Sequence, residues 1–287
     1  YEEVSGPNTL TLAGRAPLNL RTILVNGVEY PVTWVDVLDW RIVVPLNPGT
    51  NQLSITGIDR NGKPVPSASA TVIARYTGPE VDPAGHVVFN EILFQPQIEG
   101  ATFVEFFNTH PTHTFDLSGW RVNGLSYTFP SGTLLGPNTF LVLSQNPFTH
   151  AQAYGLARPA FDAFAGTLDR DGETLTLLRP GPAGELVVDR VRYEAGAPWG
   201  PVENGMSVQL IDATQDNSRA GNWASCPTNP PPPAVPQSIV FFDYSEPWRY
   251  MQTQNLDGVN WRALAYNDSA WPTGPGLLAF ENNATLN

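Results

Sequence analysis

The sequence predicts an all-β chain made of tandem β-sandwiches. Three observations lead there. Apolar runs are short and numerous, and none keeps a helical period over a long stretch. The 28 prolines and 25 glycines are scattered between those runs, where strands must end and turn. Hydrophobic residues make up 41% of the 287, enough to build cores. That length suits two or three domains.

Charge removes several classes of partner. The formal charge is −12, from 27 acidic and 15 basic residues. Phosphate backbones are bound by basic faces, so no nucleic-acid partner is expected. No run of about 18 apolar residues occurs, so no segment of this chain is expected to span a membrane. Cys226 is the single cysteine, which rules out an intrachain disulfide and a cysteine-based metal site. The chain opens at Tyr1 with no initiator methionine or signal peptide. It reads as a fragment of a longer polypeptide, with any export signal elsewhere.

Residues 1–78 are expected to form the first sandwich. Strand-like runs occur at Thr9–Ala13, Thr22–Val25, Val28–Val32, Trp40–Leu46, Asn51–Ile58 and Ala70–Tyr76. Asn26-Gly27 stands between two of them as a two-residue hairpin turn, because both turn positions favour positive φ. Trp34 and Trp40 read as core or strand-edge aromatics. The phrase TILVNGVEYPVTW, followed by a Pro-Gly-x-Asn turn, resembles small immunoglobulin-like modules of large bacterial surface and secreted proteins. Such modules accompany kinase-like domains of the spore-coat CotH type, a core that this chain does not contain. Residues 79–85, within TGPEVDPAG, read as a linker.

Residues 86–226 are organised around Val87–Asn108. Two apolar runs there carry Asn90-Glu91 and Glu105, joined through Gln95–Ala101. Alternation puts Phe103, Glu105 and Phe107 on one face of a strand and Val104 and Phe106 on the other. Leu141-Val142-Leu143 reads as a strand covered on both faces. Asp171-Gly172 reads as a hairpin turn between Gly166–Leu168 and Thr174–Leu178. In Phe129-Pro130-Ser131-Gly132, the proline ends a strand and Gly132 permits a bend. Pro147–Tyr154 is the one expected helix, with Asn146 as its cap, Pro147 in its first turn and Gly155 at its end.

The order FNEILFQP, FVEFFN, DLSGWRV, YTFPSGTLLGPNTFLVLS, GTLDRDGETLTLL, VVDRVRYEAGAPW, GMSVQLID and DNSRAGNW resembles the bacterial lamin tail domain. The resemblance implies an immunoglobulin-like β-sandwich. It implies function much less, because such folds host many roles.

Candidate chemistry comes with a structural alternative at each position. Glu91 and Glu105 lie on strands expected to be neighbours. They could act as an acid–base or metal-ligand pair, or with Asn90 they could fix strand ends and offer a surface site. Asp169, Asp171 and Glu173 open like a calcium loop. The helical loop motif is excluded because its twelfth position, counted from Asp169, is Pro180. An exposed turn or a calcium site completed by another loop remains. His110 and His113 lack a third zinc ligand at a defined spacing and read as exposed loop residues. No nucleophile elbow, phosphate loop or HExxH occurs. The expectation is no enzyme, no catalytic residue and no cofactor, calcium being the one candidate.

Residues 227–237 hold a proline-rich run expected to be an extended spacer. Residues 238–287 include WRYM and NWRALAYNDSAWPTGPG, which resemble the opening of a galactose-binding-like jelly roll, here truncated. Loosely packed strands and exposed aromatics are expected there, with Trp271 in a core. The whole reads as accessory, non-catalytic modules of an exported bacterial protein, extracellular or at the cell surface. They would space domains and contact protein or glycan ligands. The alternatives are carbohydrate binding by the second or third module, and membership of an enzyme whose catalytic domain lies outside the chain.

Overall fold

The computed structural model describes residues 2–200, 202–228 and 246–275. The expected spacer at 227–237 lies outside these residues except at its start. The chain is nearly all β, with one α-helix among the described residues. Among them no helix is long and apolar enough to cross a membrane.

The first sandwich has seven strands: β1 (Glu2–Val4), β2 (Thr9–Arg15), β3 (Leu20–Val25), β4 (Val32–Trp34), β5 (Asp39–Pro45), β6 (Gly49–Asp59) and β7 (Pro64–Tyr76). One sheet runs β1-β7-β6-β3 and the other β2-β5-β4. Alternation turns Leu10, Leu12, Trp40, Ile42 and Val44 inward, against Ile23, Val25, Leu53 and Ile55 of the facing sheet.

The expected strand Val28–Val32 is not formed. Asn26 and Gly27 do adopt positive φ, and Val25 and Val28 exchange backbone hydrogen bonds across them. The ladder stops there. Tyr30 turns into the interior and its hydroxyl donates to Asp116 at 3.1 Å, while Pro31 has no N–H to offer. The turn therefore hands the chain to the other sheet, where β4 pairs with β5.

The second sandwich has twelve strands: β8 (Val87–Leu93), β9 (Phe103–Asn108), β10 (Phe115–Asp116), β11 (Arg121–Asn123), β12 (Tyr127–Thr128), β13 (Leu134–Leu135), β14 (Phe140–Ser144), β15 (Asp162–Ala163), β16 (Gly172–Gly181), β17 (Gly184–Glu194), β18 (Met206–Leu210) and β19 (Trp223–Pro227). A six-stranded sheet runs β15-β14-β9-β8-β18-β19 and faces a four-stranded sheet, β12-β11-β16-β17. Phe89, Phe94, Phe106 and Phe129 are fully buried between them. Each such side chain contributes roughly 1.5–3 kcal/mol of transfer free energy. The expected hairpin at Asp171-Gly172 is replaced. Gly172 already pairs with Glu194, and the tight turn lies between Gly181 and Gly184. The helix α1 (Pro147–Tyr154) forms as expected, its Asn146 side chain accepting from the Phe148 and Thr149 N–H groups. His150 and Tyr154 hold it down by edge contacts with Phe103.

Register contains one irregularity with wide consequences. Phe89 pairs with Phe106 but Glu91 pairs with Glu105, so Asn90 is an extra residue in β8. The Phe89 N–H donates instead to Asp189 Oδ2 of β17, at 2.7 Å. Asp189 also accepts from the Asn217 side chain at 2.6 Å. One carboxylate thus ties both sheets and a loop together.

The two sandwiches belong to one compact unit, Tyr1–Pro233. Residues 79–85 are anchored rather than free. Pro83 is buried, its carbonyl accepts from the His86 and Val87 N–H groups, and Asp82 pairs with Arg179. Asn8 accepts from the Thr114 N–H at 2.7 Å and donates to the Thr114 carbonyl at 2.9 Å. That fixes its amide, so the remaining N–H meets His113 Nε2 at 3.1 Å. The ring nitrogen must be the unprotonated acceptor. Gly132 has φ 83° and stands against the Glu29 backbone, where a Cβ would collide. Leu134 packs on the first core and its neighbour Leu135 lies in the second.

His110 and His113 are therefore half-buried junction residues, not exposed loop residues. His110 Nδ1 accepts from the Thr112 and His113 N–H groups. Burial, then the neighbouring histidines, lowers the His113 pKa.

The last unit is described at 246–275, where β20 (Pro247–Arg249) pairs with β21 (Thr273–Pro275). No residue in that span is buried. Trp271 is consequently half-buried against Tyr266 rather than in a core, since two three-residue strands enclose nothing.

Two outcomes are expected. Asp189→Ala strands a buried Phe89 N–H and should cost about 1–3 kcal/mol in chemical denaturation. Asn8→Ala leaves both buried backbone groups of Thr114 without their partner and should cost a similar, about 1–3 kcal/mol, amount.

Candidate functional site

Strand alternation settles which side chains leave the second sandwich. On β9, Val104 and Phe106 enter the core, so Phe103, Glu105 and Phe107 project from the opposite face of the six-stranded sheet. On β18, Val208 and Leu210 enter the core and Gln209 projects outward. Gln209 lies opposite Glu91, and Glu91 opposite Glu105, which lies opposite Val142. A single row of positions thus crosses four strands. The extra residue in β8 adds Asn90 to this row, and its amide donates to Glu105 Oε1 at 2.8 Å. Gln209 donates to Glu91 Oε1 at 3.0 Å.

The helix covers one end of this face, over Phe103. The other end stays open as a cleft of about 790 Å³, floored by Asn90, Glu91, Glu105 and Gln209. Phe140 and Phe161 line it, 55% and 49% exposed. The Phe140 ring stacks on Phe107, with centroids 4.3 Å apart and planes 20° from parallel. Arg158 lines the same cleft. The run Leu141-Val142-Leu143 is therefore covered on one face only. Leu141 and Leu143 are buried while Val142 and Phe140 border the cleft.

Glu105 is 8% exposed. Burial pushes its pKa up to about 7, the Asn90 hydrogen bond works against that, and the Glu91 charge adds to it. It bears a proton through the weakly acidic range while Glu91 lies beside it.

The other sequence candidates do not join this site. Glu173 accepts from the Asp169 N–H and from the Tyr193 hydroxyl, and Asp169 caps the Asp171 N–H. These bonds close a turn. Among the described residues no three His, Cys, Asp or Glu side chains gather as a metal ion requires. Cys226 lies in β19, paired with Ser207. The sequence reading missed Gln209, Arg158, Phe140 and Phe161. Only Gln209 carried a local signal, as the polar residue between Val208 and Leu210.

Glu105 generates a pH prediction. The unfolded carboxyl titrates at 4.5 and the folded one at about 7. This group's favourable contribution is full below the unfolded value and is lost as pH rises through the folded one. Glu105→Gln should melt higher than wild type at about pH 8, by at most about 3 kcal/mol, and converge with it near pH 4.5. His113 acts oppositely, since its folded pKa is lowered. Its contribution is full above 6.5 and is lost as pH falls from there through the lowered folded value. His110 and His150 are lowered as well, so the His113 share is the part of the stability loss on acidification that disappears in His113→Gln.

Residues 80–195 match the family model described as Lamin Tail Domain. The match supports reading the second sandwich as such a domain. No curated protein matches the chain. Among solved structures, the Bacteroides ovatus mixed-linkage glucan utilization locus protein SGBP-B, in complex with a mixed-linkage heptasaccharide, is 13% identical. The alignment covers 65% of this chain and 38% of that one, with a TM-score of 0.19. A likeness of that size says nothing about fold or ligand here.

Proposed function

We propose that this chain is a non-catalytic interaction segment of a larger exported bacterial protein, and that the outer face of the six-stranded sheet is its contact surface. The observation that carries this is the open cleft, with a polar floor beside a fixed aromatic ledge. Concave sites of this size with a few convergent polar groups are where ligands bind. The rigid seating of the first sandwich suits a spacer that presents a face in one direction.

Geometry supports binding over hydrolysis. Glu91 and Glu105 sit directly opposite each other in neighbouring strands, so their Cβ atoms are about 4.5–5.5 Å apart on one face. A catalytic carboxyl pair must flank the bond it cleaves. Here both groups lie beneath any ligand, and each is already held by an amide. Location at the cell surface and the company of CotH-type kinase domains belong to the same proposal. They rest on the mosaic of small sandwiches with a lamin-tail-like module. Calcium near Asp169, Asp171 and Glu173 would show as a thermal shift on chelation, because a ligand bound only by the native state stabilises it.

The test is NMR titration of the full chain with a panel of neutral oligosaccharides, an acidic oligosaccharide, an alkylamine and a lysine-rich peptide. At least one class should shift the side-chain amide signals of Asn90 and Gln209. Silence of both signals across the panel sinks the contact surface. Turnover of any saccharide that disappears in Glu91→Gln would sink the non-catalytic reading.

A further inference from the structure

Resting on that contact surface, we infer that its occupant is an uncharged saccharide, seated with one ring face on Phe140 and its hydroxyls on Asn90, Glu91, Glu105 and Gln209.

The aromatic ledge comes first. Phe140 is an exposed aromatic ring at the start of a strand, and it shares its cleft with a second exposed ring, Phe161. Its plane is set from beneath by Phe107. A flat ring held in advance offers apolar area at little entropic cost. The face of a pyranose presents C–H groups over an area comparable to an aromatic ring, whereas a lysine side chain or alkyl amine offers only a narrow chain. Phe161 supplies a second exposed aromatic wall, and its backbone is fixed by a hydrogen bond to the Val142 carbonyl.

The floor comes second. Adjacent sugar hydroxyls both donate and accept, so they need a surface that alternates the two roles. Across the row, Gln209 and Asn90 supply amide donors and acceptors, and Glu91 and Glu105 supply acceptor oxygens. Each carboxylate has one oxygen committed to an amide in the structure. These amides turn the carboxyl groups and hold them before a ligand arrives.

Charge decides against the other occupants. A cation site would keep both carboxylates ionised and bare. Instead Glu105 is enclosed beside an amide, with Arg158 close enough to act on its charge, so the acidic pair is already partly answered. An acidic sugar would set its carboxylate against Glu91 and Glu105. A neutral ring meets neither penalty.

The experiment uses the full chain and a panel of neutral tetrasaccharides of glucose, xylose, mannose and N-acetylglucosamine. Galacturonate tetramer and a lysine-rich peptide serve as controls. Affinities are read by calorimetry on either side of the Glu105 titration, and positions by NMR. At least one neutral tetrasaccharide should bind, shift the Asn90 and Gln209 amide signals, and change less than about 2-fold in affinity between the two pH values. Phe140→Ala should weaken it by at least about 10-fold, the scale of a single aromatic platform. Phe140→Trp should retain binding, which separates loss of the platform from loss of the fold. Binding of the peptide at this face, tightening as pH rises and with no saccharide response, overturns the ligand class and leaves the contact surface standing. Failure of every neutral tetrasaccharide overturns the inference. Silence of the face toward saccharide and peptide alike overturns the contact surface with it.

Discussion

One hydrogen bond organises the second sandwich. The extra residue at Asn90 would leave the Phe89 N–H without a partner inside the core, and Asp189 reaches across from the opposing sheet to accept it. A carboxylate is a strong enough acceptor to offset its own burial when it also holds Asn217 and the Arg190 N–H. Its raised pKa records what that burial costs. The bulge in turn sets the registration that puts Glu91 beside Glu105 and presents Asn90 to Glu105. Removing the extra residue would reverse the facing of one half of the strand. The contact face and the core thus depend on the same local irregularity.

The second constraint is the junction. Seven strands with a small core would be marginal in isolation. Here Asn8 completes the hydrogen bonding of Thr114, Tyr30 reaches Asp116, and the short β10–β13 ribbon contributes to both cores. These contacts are polar and oriented, so they fix an angle rather than merely an attachment. The two sandwiches, packed in one compact unit, therefore hold their faces in a fixed relation.

The open face sets exposed apolar side chains among polar ones. Phe140 and Val142 are apolar and border water, yet they are rimmed by carboxyl and amide groups, and the helix closes the other end. The net charge of −12 opposes association of such a face with its own copies.

The sequence by itself determined the fold class, most strand positions, the capped helix and the adjacency of the strands that carry Glu91 and Glu105. These follow from local rules: alternation, turn chemistry and capping act within a few residues. It also placed Phe103, Glu105 and Phe107 on a common face. What it could not decide was which faces are covered. Leu141-Val142-Leu143 reads as doubly buried because an apolar run looks the same whether its second face meets protein or ligand. Asn26-Gly27 read as a hairpin, but Tyr30 found a partner 86 residues away and took the following strand to the other sheet. His113 looked like a loop residue because its partner, Asn8, is 105 residues distant. The cleft itself gathers residues from five separate segments, and Arg158 and Phe161 carry no local mark of it. Long-range partners and the coverage of a sheet face are properties of the packed chain, so only the tertiary structure decided them.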